Sequence, residues 1–192
     1  MKFRRAIMDD MELITDWRWE VTKWIHEKGS DQWDDTGLTR EEFQRRITRS
    51  IQAGETWLAF DDDGDPVGTI AVDLVPDAGL WTEEELDQCY IIHRMMVPRS
   101  HAGKGIGKSM VAFAEELARS DGRRLLVLDA WNTNTSLHGY YESLGFRYVR
   151  TVPNHWTPSA TLFERPVTNF DPSARRQNKR VIPFIDEGRF TR

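Results

Sequence analysis

The sequence has little cysteine and no long apolar run, and each absence excludes a class of protein. Cys89 is the single cysteine among 192 residues, so an internal disulfide and a cysteine-based metal cage are both excluded. A membrane-spanning helix needs about 20 consecutive apolar residues, and no stretch approaches that length. The N-terminal residues are basic but lack the apolar segment of a secretory signal. We therefore expect a cytoplasmic protein with no membrane partner and no bound metal.

Charged residues are abundant but unevenly distributed. Asp and Glu number 31 against 26 Lys and Arg, which gives a formal net charge of -5. The stretch from Arg165 to Arg192 is rich in Lys and Arg, so the rest of the chain is more acidic than the whole. An acidic body argues against nucleic-acid binding, which depends on neutralising phosphates with basic side chains. We predict one domain over residues 1–167 and a basic C-terminal tail over residues 168–192.

Hydrophobic periodicity predicts alternating helices and strands. After Asp9 and Asp10, apolar residues recur every three or four positions, which predicts a first helix. Either aspartate can cap this helix. A capping box formed by Thr39 and Glu42 predicts the start of a second helix. The predicted strands are 3–7, 56–60, 67–75, 90–97, 123–131, 146–152 and 160–167, and later helices end near Gly122 and Leu144. Because a helix joins the fourth and fifth strands, we expect these two to be parallel in an α/β domain.

A glycine-rich segment, AGKGIGKS at residues 102–109, joins a strand to a helix. Its three alternating glycines let the backbone approach an anion closely, and the free N–H groups and positive dipole of the following helix face that anion. Lys104 and Lys108 add positive charge nearby. The segment therefore predicts a phosphate-binding site, because a merely flexible turn would lose chain entropy without benefit.

One candidate ligand is a nucleoside triphosphate. The segment nearly matches the P-loop pattern G-x-x-x-x-G-K-[ST], with Ala102 at the first glycine position, and Asp129 ends an apolar strand as a Mg²⁺-holding aspartate would. Two features weaken this interpretation. Residues 98–101 separate the segment from its strand, and few residues after Ser109 are left for the parallel sheet of such proteins. A P-loop nucleotide-binding protein is kept as an alternative.

Two motifs at the right separation resemble the GNAT (N-acetyltransferase) superfamily. Its loop pattern, Gln/Arg-x-x-Gly-x-Gly/Ala after a strand that ends in valine, corresponds to Val97 followed by residues 102–107. Its second pattern is asparagine, then tyrosine seven residues later, then Gly-Phe, which stands here as Asn134, Tyr141, Gly145 and Phe146. The resemblance covers roughly residues 1–165. It implies a mixed, mostly antiparallel sheet flanked by about four helices, with two parallel strands that splay apart.

The resemblance implies acetyl-CoA as the cosubstrate and an amine as the acceptor. In this family the pantetheine arm lies between the splayed strands and bonds the backbone of the first one, here at Met95, Met96 and Val97. Loop amides then hold the pyrophosphate, here at Ala102, Gly103, Lys104, Gly105, Ile106, Gly107 and Lys108. Asn134 is implied to line the arm from the other side, although helix capping explains an asparagine there equally well. Ala102 departs from the family's Gln or Arg, and Lys104 or Lys108 would supply the missing charge.

The resemblance also implies two residues in proton transfer. Tyr141 stands at the family's position for the acid that protonates the departing thiolate, and a tyrosine pKa of ~10 against ~8.5 for a thiol makes that transfer mildly uphill. For the base we predict His93, because strand periodicity places it on the face of Met95 and Val97. A hydrogen-bonded core histidine is the alternative. Tyr140 is expected to point away from the site.

The acceptor is expected to be an aromatic or cationic amine of a small molecule or peptide. The family's acceptor site is walled by the first two helices and by the link between the third and fourth strands. Tryptophans outside any core pattern are Trp19, Trp33 and Trp81, and acidic residues in these segments are Asp34, Asp35 and Glu83. A homodimer is compatible with the resemblance. A module that binds CoA without catalysis is the second alternative.

Overall fold

The structure is a computed structural model, and it describes residues 1–33, 37–171 and 173. Asp34 and Asp35, which were expected near the acceptor, lie outside the described residues, as does nearly all of the predicted basic tail. Within the described ranges, no helix is both long enough and apolar enough to cross a membrane.

The described residues form seven strands and five helices. The strands are β1 (Lys2–Arg5), β2 (Thr56–Phe60), β3 (Pro66–Asp73), β4 (Cys89–Met96), β5 (Leu125–Ala130), β6 (Arg147–Thr151) and β7 (Thr161–Pro166). The helices are α1 (Met11–Glu27), α2 (Arg40–Gln52), α3 (Glu83–Leu86), α4 (Ile106–Ser120) and α5 (Thr135–Ser143). The strand ends differ from the sequence prediction by no more than two residues.

The seven strands form one mixed sheet in the order β1-β2-β3-β4-β5-β7-β6. Neighbouring strands are antiparallel except for β4 and β5, which run parallel. These two can be parallel because α4 connects them as a crossover. The arrangement confirms the predicted mixed, mostly antiparallel sheet flanked by helices.

The ladder between β4 and β5 ends early. It consists of three residue pairs, Cys89–Leu125, Tyr90–Leu126 and Ile91–Val127. Both strands nevertheless continue, to Met96 and to Ala130. The two strands, described over their whole length, therefore diverge in their C-terminal halves. This confirms the predicted splay and leaves an opening, here called the β4–β5 gap.

Local sequence explains where the first two helices begin. Thr39 and Glu42 form the predicted capping box at α2, with Thr39 Oγ1 accepting from the Glu42 N–H at 3.2 Å. Asp10 occupies the N-cap position of α1, but its side chain makes none of the predicted capping bonds. Its carboxylate instead binds the Arg4 guanidinium at 2.6 and 2.8 Å and accepts from the Ile7 N–H. An available arginine thus outcompetes the helix terminus for this carboxylate.

A bulge interrupts β4 at Arg94. On β3, Ala71 pairs with His93 and Thr69 pairs with Met96, so β4 has one residue more than its partner over this stretch. Arg94 has a positive φ of 47°, a conformation that residues with a side chain adopt infrequently. The extra residue shifts the alternation of side chains between the two faces of the sheet.

The bulge places His93 and Met95 on opposite faces of the sheet. Met95 and Val97 pack against the apolar cluster that contains Ile92, and His93 follows Ile92 directly and therefore projects to the other face. The prediction that His93 shares a face with Met95 and Val97 is wrong, because it assumed an uninterrupted two-residue repeat.

Helices cover both faces of the sheet. On one side, here called the α4 face, α4 and α5 pack over a core that includes Ile92 and Leu128. On the other side, the α1 face, α1 and α2 pack over Met96. The link between β3 and β4 contributes to a further cluster on that side, which contains Ile91 and Val127. The β4–β5 gap thus opens between two helical layers.

Candidate active site

Two titratable side chains face each other across the β4–β5 gap. The three pairs of the ladder share one register, and this register, continued by two positions beyond Ile91 and Val127, leads to His93 on one strand and Asp129 on the other. Residues two positions apart project to the same face of a strand, so both side chains lie on the α1 face. Each charge shifts the pKa of the other residue. The pairing register therefore brings together two residues that lie far apart in the sequence.

His93 forms an ion pair with Asp73. Its Nε2 lies 3.3 Å from Asp73 Oδ1 and 3.2 Å from the carbonyl oxygen of Val75. Burial alone would lower the pKa of His93, but the charge and hydrogen bond of Asp73, with a smaller contribution from Asp129, raise it to about 9. His93 therefore keeps its proton at neutral pH. Its predicted role as a base requires that proton to leave first.

Asp73 is buried and surrounded by donors. It accepts a hydrogen bond from the Val75 N–H at 2.9 Å, and the Arg94 guanidinium lies 3.9 Å away. Burial would raise the pKa of Asp73, but His93 and Arg94 lower it overall. Arg94 also donates to Ser50 of α2 at 2.9 Å, which fixes the guanidinium on the α1 face. Asp73 is therefore an ionised carboxylate whose charge is compensated from two sides.

Asp129 differs from Asp73 in the direction of its pKa shift. Its Oδ2 accepts a hydrogen bond from Ser159 Oγ at 2.6 Å. Burial raises the pKa of Asp129, and the positive charge of His93 offsets only part of that rise. The sequence suggests Asp129 only as a Mg²⁺ ligand in the P-loop alternative. Only the register of β4 and β5 shows that Asp129 lies near His93.

Tyr141 of α5 lies close enough to Asp129 to be affected by its charge. The Tyr141 ring packs against Phe146 and Phe163, with centroid distances of 5.8 and 6.2 Å, and the residue is 8% exposed. Burial strongly raises the pKa of Tyr141, and the negative charge of Asp129 raises it further. The hydroxyl therefore stays protonated and can donate a hydrogen bond throughout the physiological pH range. The charge of Asp129 therefore influences the pKa of both Tyr141 and His93.

The glycine loop follows β4, but a short segment separates them. Residues Arg99–His101 form a 3-10 turn between the strand and the loop, whereas a P-loop leaves its strand almost at once. Gly103 and Gly105 have positive φ values of 77° and 74°, which glycine adopts without strain. Because α4 begins at Ile106, the amides of its first turn have no partner within the helix. Residues 102–108 therefore form a loop around the N-terminus of α4, and this arrangement is suited to binding an anion.

Tyr140, which we expected to point away from the site, lies against α4. A Cβ atom placed on Gly107 would lie 1.9 Å from the Tyr140 hydroxyl oxygen, so a larger residue at Gly107 cannot coexist with this position of Tyr140. Tyr140 is 39% exposed, so its side chain reaches α4 along the surface of the domain. The two helices are therefore in contact beside the glycine loop.

Asn134 makes a local and a long-range contact. Its Oδ1 accepts from the Leu137 N–H at 3.0 Å, which confirms the capping interpretation. Its Nδ2 donates to Gln32 Oε1 at 2.6 Å, across a sequence separation of 102 residues. Asp31 accepts from Trp131 Nε1 at 3.0 Å. The segment after α1 is therefore tied to the link between β5 and α5, and no local pattern in the sequence points to this contact.

The other residues expected near the acceptor fall into different environments. Trp81 is 8% exposed and packs in an apolar cluster of the α1 face, so the expectation that it lies outside the core is wrong. Trp19 is partly exposed, and Trp33 stacks on Arg18 with 3.6 Å between the guanidinium carbon and the ring centroid. Glu83 is exposed at the start of α3.

Within the described residues, no group of His, Cys, Asp or Glu has the arrangement of a metal site.

Comparison with known proteins shows a family match over most of the chain. The family model described as the acetyltransferase (GNAT) family matches residues 13–146. The chain is also 26% identical over 166 residues to the uncharacterized N-acetyltransferase YesJ of Bacillus subtilis, which covers 85% of this chain and 88% of that protein.

Solved structures give the same result for the fold. A GNAT-family acetyltransferase from Listeria monocytogenes superimposes with a TM-score of 0.70 and 26% identity, over 86% of this chain and 94% of that one. The PaiA N-acetyltransferase of Thermoplasma acidophilum, solved in complex with coenzyme A, gives a TM-score of 0.63 and 19% identity, over 86% and 98% of the two chains.

The ion pair of His93 should make folding stability fall at alkaline pH. The folded-state pKa of about 9 lies above the usual 6.5, so the stabilisation is complete below pH ~6.5 and is lost as the pH rises through about 9. A shift of this size corresponds to about 3 kcal/mol at most. Urea unfolding near neutral pH and near pH ~10 should show this loss in the wild type and not in His93→Gln. The same pH dependence in both proteins would contradict the ion pair.

Gly107→Ala should raise the melting temperature less than a Gly→Ala change in a helix ordinarily does, because its new Cβ would lie 1.9 Å from the Tyr140 hydroxyl oxygen and that side chain must move. Tyr140→Phe removes that oxygen and leaves the ring carbon Cζ 3.2 Å from the new Cβ, so in the Tyr140→Phe background Gly107→Ala should be more favourable than in the wild type. Gly139→Ala in α5 is the matched control, since its Cβ would meet nothing within 4 Å. Equal melting temperatures for the two single glycine variants would argue against the contact.

Proposed function

The chain belongs to the GNAT family of acetyltransferases, and on this basis we propose that it transfers an acetyl group from acetyl-CoA to the primary amine of a small molecule or peptide. The observation that carries the proposal is the β4–β5 gap. It opens after Ile91 and Val127, and the glycine loop follows the end of the same strand β4. One ligand with a thioester arm and a diphosphate can therefore occupy both places.

The unpaired edge of β4 supports the position of the arm. Beyond Ile91, the β4 backbone no longer has β5 as a hydrogen-bonding neighbour. A ligand can bond such an edge as an added strand would. Met95, Met96 and Val97 offer these backbone groups closest to the loop, and Asn134 follows β5 on the other side. The amide of Asn134, now bonded to Gln32, would line the arm.

The glycine loop supports the position of the two phosphates. Its amides between Ala102 and Lys108 surround the start of α4, where the helix dipole favours negative charge. Ala102 contributes no polar side chain at the position where the family has Gln or Arg. Lys104 and Lys108 are both exposed beside the loop, and in this proposal they supply the missing positive charge.

Tyr141 is proposed as the acid for the departing thiolate. The neutral amine attacks the thioester carbonyl carbon, the C–S bond breaks, and its electron pair stays on sulfur. The Tyr141 hydroxyl gives its proton to the sulfur and regains one from the nitrogen of the new amide. Because burial raises the pKa of Tyr141, giving its proton to the sulfur is more uphill than for a free tyrosine, and the ionised form takes up the proton from the nitrogen at once.

The acceptor approaches from the α1 face in this proposal, because His93 and Asp129 project there from the two sides of the gap. The partly exposed Trp19 and the exposed Glu83 support an aromatic or cationic amine. A cytoplasmic location and a homodimer stay predictions from the sequence. The P-loop alternative gains no support from the fold.

Acetyl-CoA should raise the melting temperature and give a measurable heat in calorimetry, whereas Mg-ATP should do neither. A ligand present at 100 times its Kd stabilises the folded state by ~2.7 kcal/mol. Lys108→Ala should weaken coenzyme A binding several-fold, because it removes a positive charge beside the loop. Lys23→Ala, at an exposed position on α1, is the control. Stabilisation by Mg-ATP without any by acetyl-CoA would favour the P-loop alternative.

Tyr141→Phe should lower turnover by at least about tenfold, since general acid catalysis contributes ~10²–10⁴-fold, while the Kd of acetyl-CoA stays nearly the same. Tyr140→Phe also removes a tyrosine hydroxyl from α5 but keeps that of Tyr141, so it is the matched control. Steady-state rates and calorimetry on both variants provide the comparison. An unchanged rate for Tyr141→Phe would remove it as the acid, and binding of acetyl-CoA without turnover of any amine would favour the non-catalytic module.

A further inference from the structure

We propose that Arg18 of α1 binds a carboxylate group of the acceptor, which makes the acceptor an amine that also carries a carboxylate, as an amino acid does. The inference rests on the proposed acetyl transfer and names the substrate class of that same site.

Arg18 is a buried charge without an ion pair. The other buried charged residues of the described ranges each form one: Asp10 with Arg4, Asp73 with His93, and Glu115 with Arg165. Arg18 is only 8% exposed, yet no carboxylate among the residues that the structure describes pairs with it. A buried charge that lacks a counter-charge is costly, and a bound anion would remove that cost.

The charge of Arg18 matches a carboxylate better than a phosphate. Burial lowers the pKa of Arg18 to about 10, so the guanidinium stays charged at neutral pH. No second cation in the described part of the chain contributes to this shift. A phosphate group carries about two negative charges at neutral pH, whereas a carboxylate carries the single charge that one guanidinium neutralises.

Aromatic rings cover the face of the Arg18 guanidinium and leave its edge. Its carbon Cζ lies 3.6 Å from the ring centroid of Trp33, and the rings of Trp19 and Phe43 are 5.8 and 5.9 Å away. Stacking uses the face of this planar group, whereas its five N–H donors lie in the plane. Among the described residues, Thr22 Oγ1 accepts one hydrogen bond from it. The two oxygens of a carboxylate match the geometry of the remaining donors.

Trp33 keeps this position at a conformational cost. Its φ is 69°, a value that bulky residues adopt infrequently. Contacts of the two preceding residues fix the segment, because Gln32 accepts from Asn134 at 2.6 Å and Asp31 accepts from Trp131 at 3.0 Å. Backbone strain that the surroundings hold in this way is typical of ligand-binding clamps.

Two connections place Arg18 beside the β4–β5 gap. The adjacent Trp17 packs in one cluster with Met96, at the end of β4. The tryptophan that stacks on the guanidinium directly follows Gln32, which bonds Asn134 on the other side of the gap. Consecutive Cα atoms are only ~3.8 Å apart, so both connections are short. An acceptor that lies between the gap and α1 therefore meets the Arg18 guanidinium.

Matched pairs of acceptors test the proposal. The panel consists of the α-amino acids and of the ω-amino acids from β-alanine to 6-aminohexanoate, each together with its carboxamide, which has nearly the same shape without the charge. Near neutral pH and at saturating acetyl-CoA, kcat/KM for the best free acid should exceed that for its amide at least about tenfold, since hydrogen bonds to charged groups are the strong ones. Amides that react as well as their acids throughout the panel would overturn the proposal.

Substitution of Arg18 assigns the preference to this residue. Arg18→Gln should lower kcat/KM for the best acid at least about tenfold and for its amide less than about threefold. The different amine pKa values of the two acceptors cancel, because each variant is compared with the wild type on the same acceptor. Arg45→Gln on α2, where the side chain is 76% exposed, is the matched control. Equal losses with acid and amide would overturn the proposal and leave Arg18 a stacking partner of Trp33.

Arg18→Lys keeps the positive charge but not the planar set of donors. It should retain part of the preference for the acid, in between the wild type and Arg18→Gln. It also provides the comparison of acid with amide if Arg18→Gln does not fold, and a preference for the acid equal to that of the wild type would contradict binding by the guanidinium edge.

A binding measurement gives a result that does not depend on turnover. The best acid, added together with coenzyme A, should raise the melting temperature of the wild type and not that of Arg18→Gln. An equal rise in both proteins, or none in either, would overturn the proposal. Turnover of amines that does not depend on a carboxylate would overturn this inference and leave acetyl transfer in place, whereas absence of acetyl-CoA binding in the wild type would overturn the proposed function.

Discussion

The early end of the β4–β5 ladder is the constraint on which the rest of the site depends. Each strand keeps its other neighbour, β3 for β4 and β7 for β5, so the sheet holds both strands in place while they diverge. Backbone N–H and C=O groups at such an edge need partners, because unsatisfied polar groups are costly when buried. In the proposed function, a cosubstrate arm that bonds like a strand would satisfy them, and its thioester would lie between the two strands.

The electrostatics of the gap shift the pKa values of two carboxylates in opposite directions. Asp73 is compensated by His93 and Arg94 and serves to hold them on the α1 face. Asp129 accepts a hydrogen bond from Ser159 at 2.6 Å. Environments that push the pKa values of neighbouring acids apart commonly mark acid and base roles. Here the pKa of Asp73 is lowered and that of Asp129 is raised.

Local signals in the sequence predicted local structure well. The Thr39–Glu42 capping box needs only four residues, and the glycine loop needs only its own backbone, so both follow from sequence. The bulge at Arg94 could not be predicted, because a non-glycine residue with positive φ leaves no pattern in the alternation of apolar residues. The approach of His93 to Asp129 depends on strand register, and the contact of Asn134 with Gln32 depends on packing across the whole domain. Such features need the three-dimensional structure.

Hydrogen exchange of the backbone amides, with and without coenzyme A, tests the central claim most directly, because it reports on the unpaired edge itself. We predict that bound coenzyme A slows exchange in two segments, Met95–Val97 at the end of β4 and Gly103–Lys108 in the loop, and changes the other strands little. Protection confined to other segments, or binding of coenzyme A that leaves both of these segments unchanged, would contradict the account.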